Sequence, residues 1–190
     1  LTLETLAANH QLIMRAANLL RTTPGEIEAK LEQQSGEMKE LRHQIEKFKA
    51  EGDFEFLKEG LLEEMRRNDK MFIMGEDMAV MGNVFAITTG FLEEFGPNRV
   101  IDTPISEEGF CGMAVGAAMR GMVPCAELMY NDFVTVCADP IFNQAAKLKY
   151  MSGGQCSIPM VLRCPMGSGR RNAGQHSQSL EGMVGHFPGL

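Results

Sequence analysis

Tryptophan is absent, and aromatic residues make up only 7% of the 190-residue chain. The hydrophobic fraction of 44% still suffices for a real core. No apolar run approaches the roughly 18 residues that a transmembrane helix requires, so no membrane span is expected. Positive charge is in the minority: 18 Lys and Arg stand against 25 Asp and Glu, a formal net charge of -7. That balance argues against a general nucleic-acid-binding surface. No Cys-x-x-Cys pair occurs. The five cysteines, Cys111, Cys125, Cys137, Cys156 and Cys164, are odd in number and sit among apolar residues. They read as reduced core thiols rather than as a disulfide or zinc framework. His10, His43, His176 and His186 have no metal-ligand spacing with cysteine or carboxylate. No signal peptide is visible, so a cytoplasmic location is expected. The chain opens on Leu1 rather than Met and stops at Gly189-Leu190. A piece of something longer is expected from both ends.

What is present divides into two textures. Residues 1–52 are helical in pattern, with Leu3, Leu6, Ile13, Ala17 and Leu20 near helical spacing. Thr23, Pro24 and Glu26 form a helix start signal. Met38, Leu41, Ile45 and Phe48 then make a short heptad seam, predicting a coiled-coil-like second arm. From residue 54 the texture changes. One more amphipathic helix spans 54–70. Short apolar strands then alternate with helices: Met71 to Met74, Val100-Ile101, Val123 to Met129 and Ile158 to Leu162, with helical patterns at 89–95, 107–121 and 132–150. This alternation predicts an α/β fold, a parallel sheet covered by helices.

In such a sheet, ligands sit beyond the carboxyl ends of the strands. Glu76 and Asp77 follow the first strand, and Ser106, Glu107 and Glu108 the second. Tyr130, Asn131, Asp132 and Phe133 follow the third, and a long loop with Arg170, Arg171 and His176 the fourth. Each has an ordinary reading beside the functional one. Ser106 is a good N-cap, and acids in a first helical turn gain about 0.3–1 kcal/mol from the helix dipole. Alternatively, one acid is pressed into an apolar site, where burial raises its pKa. Adjacent helical residues face different ways, so one role each fits; residue pattern leaves open which acid points inward. Phe133 and Tyr130 fit either a core or a ligand-stacking edge. His176 fits either an ordinary loop or a catalytic group. The glycines at 167, 169 and 174 make no dinucleotide fingerprint. Gly112, Gly116 and Ala117 make the helix thin enough for close packing.

The segments "MGEDM", "GFLEEFGPNRVIDTPISEEGF", "VGAAMRGMVPCAELMYNDF", "NQAAKLKYMSGGQ", "VLRCPMGSG" and "GQHSQSLEGMVGHFPGL" resemble the beta subunit of the thiamine-diphosphate-dependent dehydrogenase component of 2-oxoacid dehydrogenase complexes. The resemblance runs over 54–190 and implies an incomplete transketolase-like pyrimidine-binding domain. It implies that Glu107 lies against N1′ of the cofactor's aminopyrimidine, sharing a proton there. Phe133 matches the aromatic that stacks on that ring, and Glu76 an acid lining the same cavity. His176 matches a channel histidine that handles the substrate or the lipoyl group. Met160 matches a backbone carbonyl ligand of a structural potassium ion. The family's metal-diphosphate motif, Gly-Asp-Gly followed at a distance by Asn, does not occur here. The resemblance therefore implies a cofactor shared with an alpha subunit that supplies the Mg²⁺ and diphosphate site. A second beta subunit and a lipoyl acyltransferase core are the other implied partners, and the isolated fragment is expected to be inactive. The segment 1–52 is instead similar to the C-terminal helical and coiled-coil part of alanyl-tRNA synthetase. That implies a chimeric chain, or alternatively a helical interaction module with an α/β passenger.

Overall fold

The computed structural model describes residues 54–167 and 171–190, all within the unit Gly52–Leu190. The helical arm expected over 1–52, and its likeness to alanyl-tRNA synthetase, lie outside the described residues.

Helix α1 (Glu55–Arg67) leads into β1 (Met71–Gly75). The junction is tied by Arg99. Its Nη2 donates to the carbonyls of Met65 (2.6 Å) and Asn68 (2.8 Å), and its Nε to Met71 (2.8 Å). Two of these are carbonyls at the end of a helix, which have no partner inside it. The guanidinium also lies 5.1 Å over the Phe95 ring. One side chain thus joins α1, β1 and α2 (Phe91–Phe95).

Strand β1 pairs in parallel with β2 (Val100–Asp102) on one side and β3 (Val123–Glu127) on the other; β4 (Val161–Arg163) adds beyond β3. The order is β2-β1-β3-β4. All five residues of β1 are buried. A continuous apolar run is what a parallel strand covered on both faces requires. Alternation then sorts the run by face. Phe72 and Met74 pack with Phe110, Cys111 and Ala114 of α3 (Glu107–Met119). Met71 and Ile73 pack on the opposite face with Met65 of α1, Met78 and Phe91.

Two elements depart from expectation. The helix expected over 132–150 is broken into a 3₁₀ turn (Asn131–Thr135), a π-helical stretch (Asp139–Ala145) and a short helix α4 (Leu148–Met151). Pro140 has no N–H and its ring crowds the preceding turn, so a regular helix cannot run through it. The chain widens instead, with Ala146 N–H bonding to the Ile141 carbonyl at 3.0 Å. The fourth strand, expected from Ile158, begins only at Val161. Pro159 has no donor for a ladder, and Met160 N–H closes a three-residue turn on the Ile158 carbonyl at 2.9 Å.

In the last segment Ser177 reads as a helix N-cap from the sequence, but the helix starts later, with Leu180 at the cap position. The segment forms a short helix α5 (Glu181–Val184) and docks through Phe187, whose ring stacks on Phe142 at 4.0 Å. A side chain at Gly189 would put its Cβ 2.1 Å from the Ala146 carbonyl oxygen, so only glycine permits this approach.

Candidate functional site

The carboxyl ends of the four parallel strands share one edge, and the polar residues gather there. Gly75 is the last residue of β1, and only glycine fits there, since a Cβ would meet the Glu127 carbonyl oxygen at 2.7 Å. The next residue, Glu76, is buried, and its Oε1 has no hydrogen-bond partner. Burial pushes its carboxyl above the usual range, and the negative charges of Glu107 and Asp77 push it further.

The loop 76–90 is held by side chains rather than by regular structure. Asp102 accepts from the backbone of Ala79 (2.5 Å) and Val80 (3.3 Å). Thr88 donates to the Met78 carbonyl at 2.7 Å. Asn83 accepts from Phe85 and Ile87 N–H, while its Nδ2 donates to Glu127 Oε1 at 2.7 Å. Glu127 is only 3% exposed, and Arg163 Nε donates to its other oxygen at 2.6 Å. Burial raises the Glu127 carboxyl, with Arg163 and Asn83 pulling it back. Residues 83, 127 and 163 thus clasp the loop, β3 and β4 together.

Glu107 opens α3 and is buried, whereas Glu108 is exposed. The phase of the helix explains the difference. Glu107 belongs to the stripe Phe110, Cys111, Ala114, Val115 and Ala118, all buried against the sheet. Ser106 stands at the N-cap position, but its hydroxyl makes no capping bond. The opposite face of α3, with Gly109, Gly112, Met113 and Gly116, is open to solvent.

Beyond β3 and β4 three rings meet. His176 lies 4.9 Å from Tyr130 and 5.4 Å from the half-buried Phe133, nearly perpendicular to both. Asn172 Nδ2 donates to the Tyr130 hydroxyl (3.1 Å), and its backbone N–H to Ser177 Oγ (2.9 Å). Gln178 Nε2 donates to Asp132 Oδ1 at 2.8 Å. The other oxygen of this buried Asp132 has no hydrogen-bond partner. Glu76, Glu107, Phe133 and His176 therefore share the edge expected of them. Met160 does not: it precedes β4, at the opposite end of the strands, half-buried against the α3 side of the core. It lines an apolar cavity of about 500 Å³ with Val134, Ile141, Leu162 and Val184, which contains none of the other four. Among the described residues no group of His, Cys, Asp or Glu is arranged to hold a metal ion. The roles of Asn83, Glu127, Arg163, Asn172 and Gln178 were not read from the sequence. Only the positions of Asn83 in a glycine-bearing loop and of Glu127 at a strand end hinted at them.

Residues 54–190 match the family described as transketolase, pyrimidine binding domain. The chain belongs to that family. Over 136 residues it is 50% identical to the pyruvate dehydrogenase E1 component subunit beta of Rickettsia felis, covering 72% of this chain and 42% of that one. It is 44% identical over 138 residues to the acetoin:2,6-dichlorophenolindophenol oxidoreductase subunit beta of Bacillus subtilis, covering 66% and 40%. A third relative, the 2-oxoisovalerate dehydrogenase subunit beta of Bacillus subtilis, is 44% identical over 128 residues, covering 67% and 39%. The chain spans about two fifths of the length of these relatives. The four-stranded parallel sheet with helices on both faces is this domain's architecture as seen here.

The buried Glu76 makes the stability of the pyrimidine-binding domain depend on pH. Unfolded, a Glu titrates near ~4.3. Folded, Glu76 holds its proton more tightly, so its favourable contribution is complete below the unfolded value and is lost as pH rises through the folded one. Glu76→Gln removes that dependence. The variant should melt higher than the parent at about pH 7 and equal to it near about pH 3, well below the unfolded value, where the parent carboxyl is protonated in both states. A melting difference that is the same at both pH values would show that Glu76 is solvated.

Proposed function

We propose that this chain supplies the aminopyrimidine side of a thiamine diphosphate site in the beta subunit of a 2-oxoacid dehydrogenase. The observation that supports this most is the pair of buried carboxyls, Glu76 and Glu107, at the sheet's ligand edge. An orphaned carboxyl oxygen on Glu76 is a group awaiting a partner, and a nitrogen heterocycle with ring and exocyclic nitrogens fits it. When bound, thiamine diphosphate supplies a thiazolium carbon able to add to the keto carbon of a 2-oxoacid.

The chain's own residues do the rest. Glu107 holds a proton at N1′ of the aminopyrimidine, in a site where burial keeps water from competing for it. Glu76, whose carboxyl burial and the charges of Glu107 and Asp77 push above the usual range, lines the same cavity. Phe133 offers a half-buried ring face for the heterocycle. His176, packed against Tyr130 and Phe133, reaches the substrate or the lipoyl group. Met160, at the far end of β4, is the position for a structural potassium ion at its carbonyl.

The domain has no metal-diphosphate motif, so an alpha subunit supplies the Mg²⁺ and diphosphate half. The open Gly109, Gly112, Met113 and Gly116 face of α3 supports a neighbouring chain, since small residues allow close backbone approach. A second beta subunit and the lipoyl acyltransferase core complete the assembly. Among the described residues no helix is long and apolar enough to cross a membrane, and a cytoplasmic setting accords with the free thiols.

Much of the cofactor's binding energy lies in charge-assisted and metal contacts to its diphosphate. The chain alone should therefore show no micromolar binding in calorimetry with thiamine diphosphate and Mg²⁺, and the complete beta subunit with its alpha partner should. Tight binding to the chain alone would sink the half-site reading. So would no binding by the assembled pair.

A further inference from the structure

His176 stands in a stretch with no helix or strand of its own. Over 171–180 the chain is irregular, and Arg171 and Ala173 hold left-handed backbone, with φ of 55° and 64°. Non-glycine residues keep that conformation only where their surroundings impose it. Two tethers flank the histidine. On one side, Asn172 is fixed by its bonds to Tyr130 and Ser177. On the other, Gln178 is fixed by Asp132. Its Nε2 (2.8 Å) and its backbone N–H (3.3 Å) both donate to Asp132 Oδ1. The Gln178 carbonyl accepts from Gly167 N–H at 3.3 Å. The anchors and the rings come from one segment. Tyr130 stands at the N-cap position of the 3₁₀ turn Asn131–Thr135, and Phe133 follows three residues on. Side chains three apart eclipse in such a turn, and these two rings lie 6.1 Å apart at 89°. The imidazole closes against both.

We propose that Asp132 is a positioning residue for His176: by gripping Gln178, two residues further along the chain, it fixes the imidazole against Tyr130 and Phe133. Asp132 lies between the two rings in sequence but is only 5% exposed. The Thr135 hydroxyl donates to its carbonyl at 3.0 Å and holds the turn beneath it. Packing alone does not call for a carboxyl here. A buried polar group is costly unless it is bonded, and Asp132 Oδ2 has no partner. What the carboxyl adds is the pair of bonds that Oδ1 accepts from Gln178. Asp132 therefore acts through Gln178 on the loop, while Tyr130 and Phe133 keep their places in the 3₁₀ turn. That the positioned imidazole serves the reaction rests on the function proposed above; the grip itself does not.

The test reads the Hε1 proton of His176 in the NMR spectrum of the whole chain, assigned by its loss in His176→Gln. The two neighbouring rings displace this resonance from the position of a free histidine. In Asp132→Ala the displacement should be lost, and in Gln178→Ala it should be lost at least in part, since the backbone bond at 178 remains. Asp132→Asn keeps an acceptor for Gln178 and should restore it. His186, whose ring lies 6.0 Å from Phe187, is the control. Its resonance should stay in place throughout, which separates a loosened loop from a lost fold. Gln178 is exposed, so Gln178→Ala decides the matter even if Asp132→Ala does not fold. An unmoved His176 resonance in Gln178→Ala would overturn the proposal. So would a loss in Asp132→Asn as large as that in Asp132→Ala. In a complete beta subunit assembled with an alpha subunit, turnover should fall alike in Asp132→Ala and His176→Gln, and no further in the double variant. Additive losses would overturn the route through His176. Unchanged turnover in all three, with the resonance moved as expected, would count against the function proposed for His176 and uphold its positioning.

Discussion

If the chain is the aminopyrimidine half-site proposed above, replacing Glu107 with Gln in a complete beta subunit assembled with an alpha subunit should lower turnover by about 10²-fold or more. Gln keeps the length of the side chain and one hydrogen-bond acceptor. It cannot hold or yield the proton at the aminopyrimidine nitrogen. The neighbouring Glu108 is the internal control, since it lies one helical step away on the exposed side of α3. Glu108→Gln should leave turnover within about threefold of the parent, the latitude expected of a surface change. Steady-state kinetics on both variants, with circular dichroism to show that the fold is kept, separates the two acids. Full activity in Glu107→Gln together with loss in Glu108→Gln would reverse the assignment.

Removing Glu127 should be the most damaging change to stability, at about 3–5 kcal/mol for Glu127→Ala. The cost is mostly that of what remains behind. Arg163, with its side chain only 15% exposed, keeps its charge without a counter-ion. Asn83, which is also buried, loses the acceptor for its Nδ2. Against a typical total of about 5–15 kcal/mol, this leaves little margin. Urea denaturation measures it. The double variant Glu127→Leu, Arg163→Met should regain much of the loss, because no charge is then stranded. A loss under about 1 kcal/mol would mean that the pair is solvated, as surface pairs are. The same variant frees the loop 76–90 at Asn83, so Glu76 would lose its fixed place at the strand edge.

These two acids show how far local pattern reaches. The strands β1 to β3 were legible because each is a short apolar run, and burial on both faces of a parallel sheet demands no more than that. The site's edge followed from chain order alone, since every loop after a parallel strand emerges on one side. Which of Glu107 and Glu108 points inward was not legible. Helix α3 carries apolar or small residues all around, so its sequence shows no preferred face; the contact of Phe110, Cys111 and Ala114 with the sheet sets the phase. The broken 131–151 segment and the late start of β4 had visible causes in Pro140 and Pro159, but apolar spacing outweighed them in the reading.

By itself, then, the sequence determined the order of strands and helices and the residues that follow each strand. These depend on interactions between neighbours a few positions apart. Only the tertiary structure decided that Asn83 meets Glu127 across 44 positions, that Glu127 meets Arg163 across 36, and that His176 packs between Tyr130 and Phe133. Such pairs leave no periodic trace in the chain. They form because a buried charge or amide must find a partner in three dimensions, and folding brings only certain ones within reach.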